Sequence, residues 1–202
     1  MRRRRIATAV DYDLRVTLEP FYGDWRLYHS LFVDALRGMS AEELALRAPS
    51  RAGAAGEPSS TSWPIWAIAG HTAGTRVYWL CEVMGVPGAE ATPFQLGTDV
   101  GWEDDLDHPR TATELVAGWE TTWAVVERAL EMWTPADLDV QVATGDGARH
   151  LTRRSLVLRM ITHEAYHAGE VALIQGIHGR TPIDLWPPGY HTVEATAARA
   201  GR

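Results

Sequence analysis

The chain has 202 residues, 46% of them hydrophobic and 22% charged, and its formal net charge is −7. This length and apolar content predict one globular domain and exclude a disordered chain. The acidic balance argues against a nucleic-acid partner, and no apolar run is long enough to cross a bilayer.

The types of basic residue and the single cysteine exclude several classes of reaction and of metal site. Every basic residue is arginine, which excludes Schiff-base enzymes and the phosphate-loop lysine. Cys81 stands alone, so an internal disulfide and a multi-cysteine zinc site are both excluded. The basic start at residues 2–5 is followed by an apolar stretch too short for a signal peptide. We therefore expect a cytoplasmic protein whose metal sites would use histidine and carboxylate.

The first half of the chain predicts two long helices. The first spans roughly residues 12–36, with an apolar stripe at helical spacing that includes His29. The second begins near Ser62 and continues to about Met84. On this second helix His71 and Tyr78 share a face with small residues, so His71 is expected to point towards a packed interior.

Residues 85–110 have no clear periodicity and form the longest predicted loop, which carries several acidic residues and Trp102. Loops of this length in compact domains are commonly functional. We interpret the loop as a rim or lid over a site, and the alternative is a solvated acidic loop.

The second half predicts two more long helices. Thr111 and Glu114 form a capping box that opens the third, which ends near Trp133. A short hairpin around residues 140–152 precedes the fourth helix, which continues to about His178. We expect an all-α four-helix bundle, with a long loop between helices 2 and 3 and a short C-terminal helix near residues 191–200. Residues 1–202 would form one domain, with a core at about 11–180 and a C-terminal extension at 181–202.

Three histidines are the candidate metal ligands. His163 and His167 lie four residues apart, which places both imidazoles on one face of the fourth helix. Such a pair can bind a divalent ion, or both rings can be ordinary core or surface histidines. The pair alone favours neither alternative, so a third ligand is needed to decide. His71 supplies that ligand from a facing helix. Three imidazoles leave coordination positions free for water and substrate.

Five other residues are candidates for catalysis or substrate binding. Glu170 shares the histidine stripe and could orient an imidazole, or could be the buried partner of an arginine. Glu164 is the possible base of a hydrolytic reaction. The candidates for substrate contact are His29, Tyr78 and Tyr166, each with packing as its alternative.

His163 to His167 also matches the H-E-x-x-H motif of zinc peptidases, in which Glu164 would be the general base. The extended motif fails, because Glu170 and Leu173 occupy its glycine and third histidine positions. The chain also lacks a predicted strand-bearing subdomain. A peptidase is therefore disfavoured.

A broader resemblance rests on residues 66–71, Trp-Ala-Ile-Ala-Gly-His, and residues 161–171, Ile-Thr-His-Glu-Ala-Tyr-His-Ala-Gly-Glu-Val. Together with their separation, these segments resemble the DinB-like (DinB/YfiT) superfamily of four-helix metalloproteins. The resemblance implies a divalent metal, zinc or nickel, bound by the three matching histidines, and often a homodimer.

The resemblance also implies a reaction class. Characterised members are transferases or isomerases that use a low-molecular-weight thiol such as mycothiol, bacillithiol or glutathione. We expect an enzyme in which the metal activates such a thiol towards a small-molecule substrate. The alternatives are a hydrolase that uses metal-activated water and a non-catalytic bundle that binds a metal or ligand.

Overall fold

The computed structural model describes residues 17–19, 22–49, 62–97, 101–144, 147 and 149–186. Four long helices form a bundle: α1 (Gly23–Gly38), α3 (Ile65–Val77), α4 (Ala112–Met132) and α5 (Arg153–Ile177). The short helix α2 (Ala41–Leu44) follows α1. The predicted all-α bundle is confirmed, and the predicted helix at 191–200 lies outside the described residues.

Helix α1 begins later than the sequence pattern predicts. Residues 12–16 lie outside the described part, and Thr17 and Leu18 are not helical. The Leu18 amide donates instead to the carbonyls of Leu130 and Trp133, at 3.0 and 3.1 Å. These bonds attach the segment before α1 to the end of α4, so it cannot continue the α1 ladder.

Side-chain caps fix where three helices begin. Ser40 and Glu43 form a capping box at α2, and Thr111 and Glu114 form another at α4. The Thr152 hydroxyl accepts from the Ser155 amide at the start of α5. Each cap satisfies backbone amides that have no partner within the helix.

The predicted hairpin is present next to α5. Strand β1 (Gln141–Thr144) pairs antiparallel with β2 (Arg149–Thr152), in a register that joins Gln141 to Thr152. Gly147 in the turn has φ of +79°, a conformation that costs glycine little. The hairpin leads directly into α5 and so sets where that helix starts.

Helix α3 is central in the bundle and packs against both α4 and α5, while α1 packs on α4. Its first turns, Ile65 to Ala69, are almost fully buried. Beyond Val77 the helix widens into a π-helical turn, Tyr78–Val83, in which the Met84 amide donates to the Trp79 carbonyl. Sequence periodicity predicted one continuous α-helix here. Among the described helices, none combines the length and apolarity needed to span a membrane.

The long loop is packed onto the bundle where the structure describes it, at 85–97 and 101–110. It buries Val86, Ala89 and Phe94, and includes a 3-10 turn at Ala89–Ala91. Trp102 lies directly over α3: a Cβ at Gly70 would be 3.0 Å from Trp102 Cε3. The close neighbour of Gly70 is therefore this loop tryptophan.

Candidate metal centre

The structure brings the three predicted metal ligands together. His71 comes from α3, while His163 and His167 lie one turn apart on α5. His163 Nε2 lies 3.1 Å from His71 Nε2 and 3.1 Å from His167 Nε2. One nitrogen from each ring falls within 4.8 Å of the others, so the group could hold a divalent metal ion.

Two of the imidazoles are oriented by carboxylates. His71 Nδ1 lies 2.5 Å from Glu103 Oε1, and His167 Nδ1 lies 2.9 Å from Glu170 Oε2. A carboxylate only accepts hydrogen bonds, so each Nδ1 must be the protonated nitrogen. In the neutral rings, the Nε2 atoms of His71 and His167 therefore present lone pairs towards His163.

Hydrogen bonding alone cannot satisfy this cluster. A neutral His163 has one N–H, so its Nε2 can donate to at most one of the two lone pairs 3.1 Å away. At least one of the two lone pairs therefore has no N–H to accept from in this cluster. A cation among the rings removes this conflict. Nitrogens bound to a tetrahedral zinc ion at 2.0–2.1 Å would be about 3.3–3.4 Å apart, close to the observed spacing.

Burial keeps two of the rings in the form that binds metals. It lowers the pKa of His163 to about 4, helped by repulsion from the protonated forms of His167 and His71. Burial also lowers the pKa of His167, although its hydrogen bond to Glu170 opposes the shift. Both rings are neutral at pH 7, and neutral imidazole is the ligand form.

The cluster is partly exposed to solvent and has two aromatic neighbours. The His71 side chain is 23% exposed. Its ring lies 5.0 Å from the half-buried ring of Trp63, and the His167 ring lies 5.1 Å from that of Tyr166. Tyr166 is 70% exposed, so it lies beside the histidines without covering them. Its predicted contact with substrate remains a prediction.

Glu164 is placed away from the histidines, in the interior of the bundle. Its two oxygens accept from Arg76 Nε at 2.7 Å and Nη2 at 3.0 Å, and Trp25 Nε1 donates to Oε2 at 2.8 Å. One residue of offset from His163 turns the side chain by about 100° around α5. These bonds support a structural role for Glu164, and we do not propose it as a base.

The other two predicted contact residues, His29 and Tyr78, are not members of the histidine cluster. His29 is buried and stacks on Trp123 with ring centroids 4.6 Å apart. Tyr78 begins the π-helical turn, about 10 Å along the helix axis from His71. Cys81 is buried in the same turn, where burial raises the pKa of its thiol. None of these three positions favours a direct part in chemistry at the histidines.

Sequence reasoning did not single out Glu103 or Arg76. Glu103 was grouped with other acidic residues of the loop, and no local pattern separates it from them. Arg76 did carry a signal, since it is the only charged residue between Ile65 and Cys81. A single charge in a small, apolar helix predicts a buried ion pair.

A cavity of about 80 Å³ lies on another side of α5. Trp25, Phe32 and Trp119 line it, together with Ala165 and Ala168 of α5. These α5 positions are more than 100° around the helix from the midpoint of His163 and His167. The cavity is therefore separate from the histidine cluster and does not supply the space for a substrate there.

Comparisons with known proteins agree with the helical fold and include the three histidines in the matched region. The sequence model of the DinB superfamily matches residues 25–171, which include all three histidines. The crystal structure of a DinB-like protein from Bacillus cereus ATCC 10987 is similar in fold, with a TM-score of 0.58 and 18% sequence identity. The similarity covers 84% of this chain and 97% of that one. None of the curated proteins compared with the chain matches it. The extent of the family match shows that the chain belongs to the DinB superfamily.

Proposed function

We propose that this chain is a metal-dependent enzyme that activates a low-molecular-weight thiol towards a small organic electrophile, as a transferase or an isomerase. The observation that carries the proposal is the convergence of the Nε2 atoms of His71, His163 and His167. Zinc and nickel are the proposed ions, because both accept three imidazole ligands.

The protein residues divide into ligands and orienting groups. The three histidines would hold the ion, while Glu103 and Glu170 fix two of the rings through Nδ1. A divalent ion at this position would lower the pKa of a thiol or water that reaches its free side. The exposed edge of His71 and the neighbouring rings of Trp63 and Tyr166 leave an aromatic opening, which suits the apolar part of an electrophile.

The proposed thiol comes from outside the chain. Cys81 is buried, lies ten residues beyond His71, and has a raised pKa, so it is a poor internal nucleophile. Mycothiol and bacillithiol are the proposed cofactors. In a transfer, the thiol proton passes to solvent, a sulfur–carbon bond forms, and the leaving group departs with the electron pair of the bond that breaks.

The test combines metal content with a thiol-dependent assay. The wild type and the His163→Ala variant are compared with His150→Ala, in which an exposed histidine of β2 is replaced. Each protein is assayed with mycothiol, bacillithiol and glutathione against a panel of electrophiles. We expect about one metal ion per chain and thiol consumption in the wild type and His150→Ala, with both lost in His163→Ala.

Three results would contradict this proposal in different ways. Absence of stoichiometric metal from the wild type would exclude the metal centre. Ester or amide turnover that needs metal but no thiol would identify a hydrolase. Metal binding without turnover of any electrophile would favour a bundle that only binds metal or ligand.

We also propose a homodimer formed through α5. The exposed apolar side chains of Leu158, Tyr166, Leu173 and Ile177 fall within an arc of about 100° on this helix. Several exposed apolar side chains on one side of a helix favour a protein interface. Sedimentation of the wild type should give a dimer, and Leu173→Glu should give a monomer that still binds metal. A monomeric wild type would exclude the dimer.

A further inference from the structure

We infer that Glu103 makes the loop segment 101–110 part of the metal centre, so that metal binding and docking of this segment stabilise each other. The inference rests on the proposed metal site. Glu103 would be a positioning residue that lies outside the helices, and the loop segment would respond to binding of the ion.

The first observation is the environment of Glu103 itself. Its Oε1 lies 2.5 Å from His71 Nδ1, and its side chain is only 10% exposed. Within the part of the chain that the structure describes, Oε2 is buried and has no hydrogen-bond partner. A buried carboxylate is stabilised by positive charge close to it. A divalent ion on the far side of the His71 ring would supply such a charge.

Packing of Trp102 holds the loop segment against α3 next to Glu103. Trp102 packs on Gly70 of α3, and its ring also lies 5.0 Å from Phe94 and 5.0 Å from the Arg110 guanidinium. A Cβ at Gly101 would overlap the Glu103 carboxylate and lie 2.8 Å from His71 Cα. The turn therefore depends on glycine at 101 and tryptophan at 102 to bring Glu103 to the histidine.

Glu170 offers a matched comparison within the same site. It also bonds the Nδ1 of a ligand histidine, but it lies three residues from His167 on the same helix and is 32% exposed. Its position is set by α5 whether or not an ion is bound. Of the two carboxylates, it is Glu103 that joins a ligand histidine to a separate segment, so Glu103 can couple the ion to the loop.

The coupling follows from thermodynamic linkage. If the docked loop strengthens metal binding by a given factor, the metal must favour the docked loop by the same factor. Removal of a carboxylate that orients a metal-binding histidine commonly weakens metal affinity by about 10–100-fold. The loop should therefore open about 10–100 times less often when the ion is bound.

The experiment measures zinc affinity by competition with a chromophoric chelator in the full-length wild type, Glu103→Ala, Glu103→Gln and Glu170→Gln. Glu103→Ala should weaken zinc binding about 10–100-fold. Glu103→Gln should recover part of the loss, because its amide oxygen can still accept from His71 Nδ1. Thermal unfolding of the metal-free proteins checks that each variant is folded.

Hydrogen exchange of residues 101–110 supplies a readout that does not depend on activity. Zinc should slow exchange in the wild type and in Glu170→Gln, and should have little effect in Glu103→Ala. Equal zinc affinity of Glu103→Ala and wild type, or zinc-independent exchange in the wild type, would overturn the inference. Zinc binding without turnover would contradict only the proposed enzyme activity, whereas absence of zinc binding by the wild type would contradict both proposals.

Discussion

Arg76 of α3 and Glu164 of α5 form a bidentate ion pair inside the bundle, with Nε–Oε1 and Nη2–Oε2 distances of 2.7 and 3.0 Å. Arg76 is 1% exposed, and its guanidinium lies 4.3 Å from the centre of the Trp119 ring. The pair joins the two helices that carry the metal ligands. It also explains the presence of Glu164 in the apparent peptidase motif, because this side chain forms the buried ion pair with Arg76.

Loss of one partner should destabilise the protein strongly. Arg76→Met leaves Glu164 buried without its cation, and we expect a cost of about 3–5 kcal/mol. The double variant Arg76→Met, Glu164→Leu should recover much of this loss. Urea unfolding of the two variants and the wild type measures the effect. A single variant as stable as the wild type would show that the pair does not matter.

A substitution of Glu164 tests whether this glutamate is a structural residue or a catalytic base. Glu164→Gln should lower the free energy of unfolding and leave the metal content unchanged. The glutamate oxygens accept hydrogen bonds from Arg76 and Trp25, and these bonds do not involve the histidine nitrogens. Any catalytic rate measured for the folded variant should remain within about tenfold of the wild type, whereas loss of a general base commonly costs about 10²–10⁴-fold. A loss in that larger range would restore Glu164 as a base.

His29 should make stability depend on pH. Burial first, and then the charges of Arg76 and Arg26, lower the pKa of His29 to about 2, whereas the unfolded chain retains the ordinary value near 6.5. The unfolded state therefore binds the proton first as pH falls. The neutral ring stabilises the fold fully above pH 6.5, and this contribution declines from there towards pH 2.

A variant at this position isolates the titration. Between pH 6 and pH 5, the free energy of unfolding of the wild type should fall relative to that of His29→Gln, by up to about 1.4 kcal/mol per pH unit. Unfolding by urea at several pH values provides the comparison. Parallel pH profiles for the two proteins would show that His29 is not a buried neutral histidine.

Cys81 should be dispensable for chemistry. Burial raises the pKa of its thiol, so the thiolate population at pH 7 is small and reagents reach it poorly. Cys81→Ala should keep metal content and thiol-dependent activity within about twofold, and the native wild type should react slowly with a disulfide reagent. Loss of activity with retained fold and metal would place the nucleophile inside the chain.

Gly101→Ala should reproduce the effect of removing the Glu103 carboxylate while leaving it in the sequence. The added methyl group would occupy the place of that carboxylate beside His71, so zinc affinity should fall about 10-fold or more. Gly97→Ala is a control on the same loop, where a Cβ meets nothing within 4 Å, although φ of +74° there predicts a small loss of stability. Equal zinc affinities for the two variants would contradict the role of Gly101.

Much of the architecture could be read from the sequence because it depends on local signals. Capping residues such as Thr111 and Thr152 mark helix starts, and the spacing of His163 and His167 places both on one face. His71 could be added because small neighbours indicated an inward face. The family resemblance supplied the same three positions, and the structure brings them together.

The rest depends on contacts between distant segments, which periodicity does not record. Glu103 meets His71 because Trp102 fits over Gly70 and because Gly101 leaves room for the carboxylate, and an acidic loop sequence does not indicate this packing. His29 and Glu164 carry reactive groups, yet packing turns both towards Arg76 in the interior. The π-helical turn at Tyr78–Val83 also has no periodic signature, because it continues the regular helix α3 with one more residue per turn over a short stretch.

The central claim is that His71, His163 and His167 bind one divalent metal ion. Anomalous diffraction from crystals grown with zinc or nickel, collected on both sides of the absorption edge of the ion, tests it directly. We predict one strong peak per chain at about 2.0–2.1 Å from the Nε2 atom of each of the three histidines. Absence of a peak there, or a peak bound by other residues, would contradict the account.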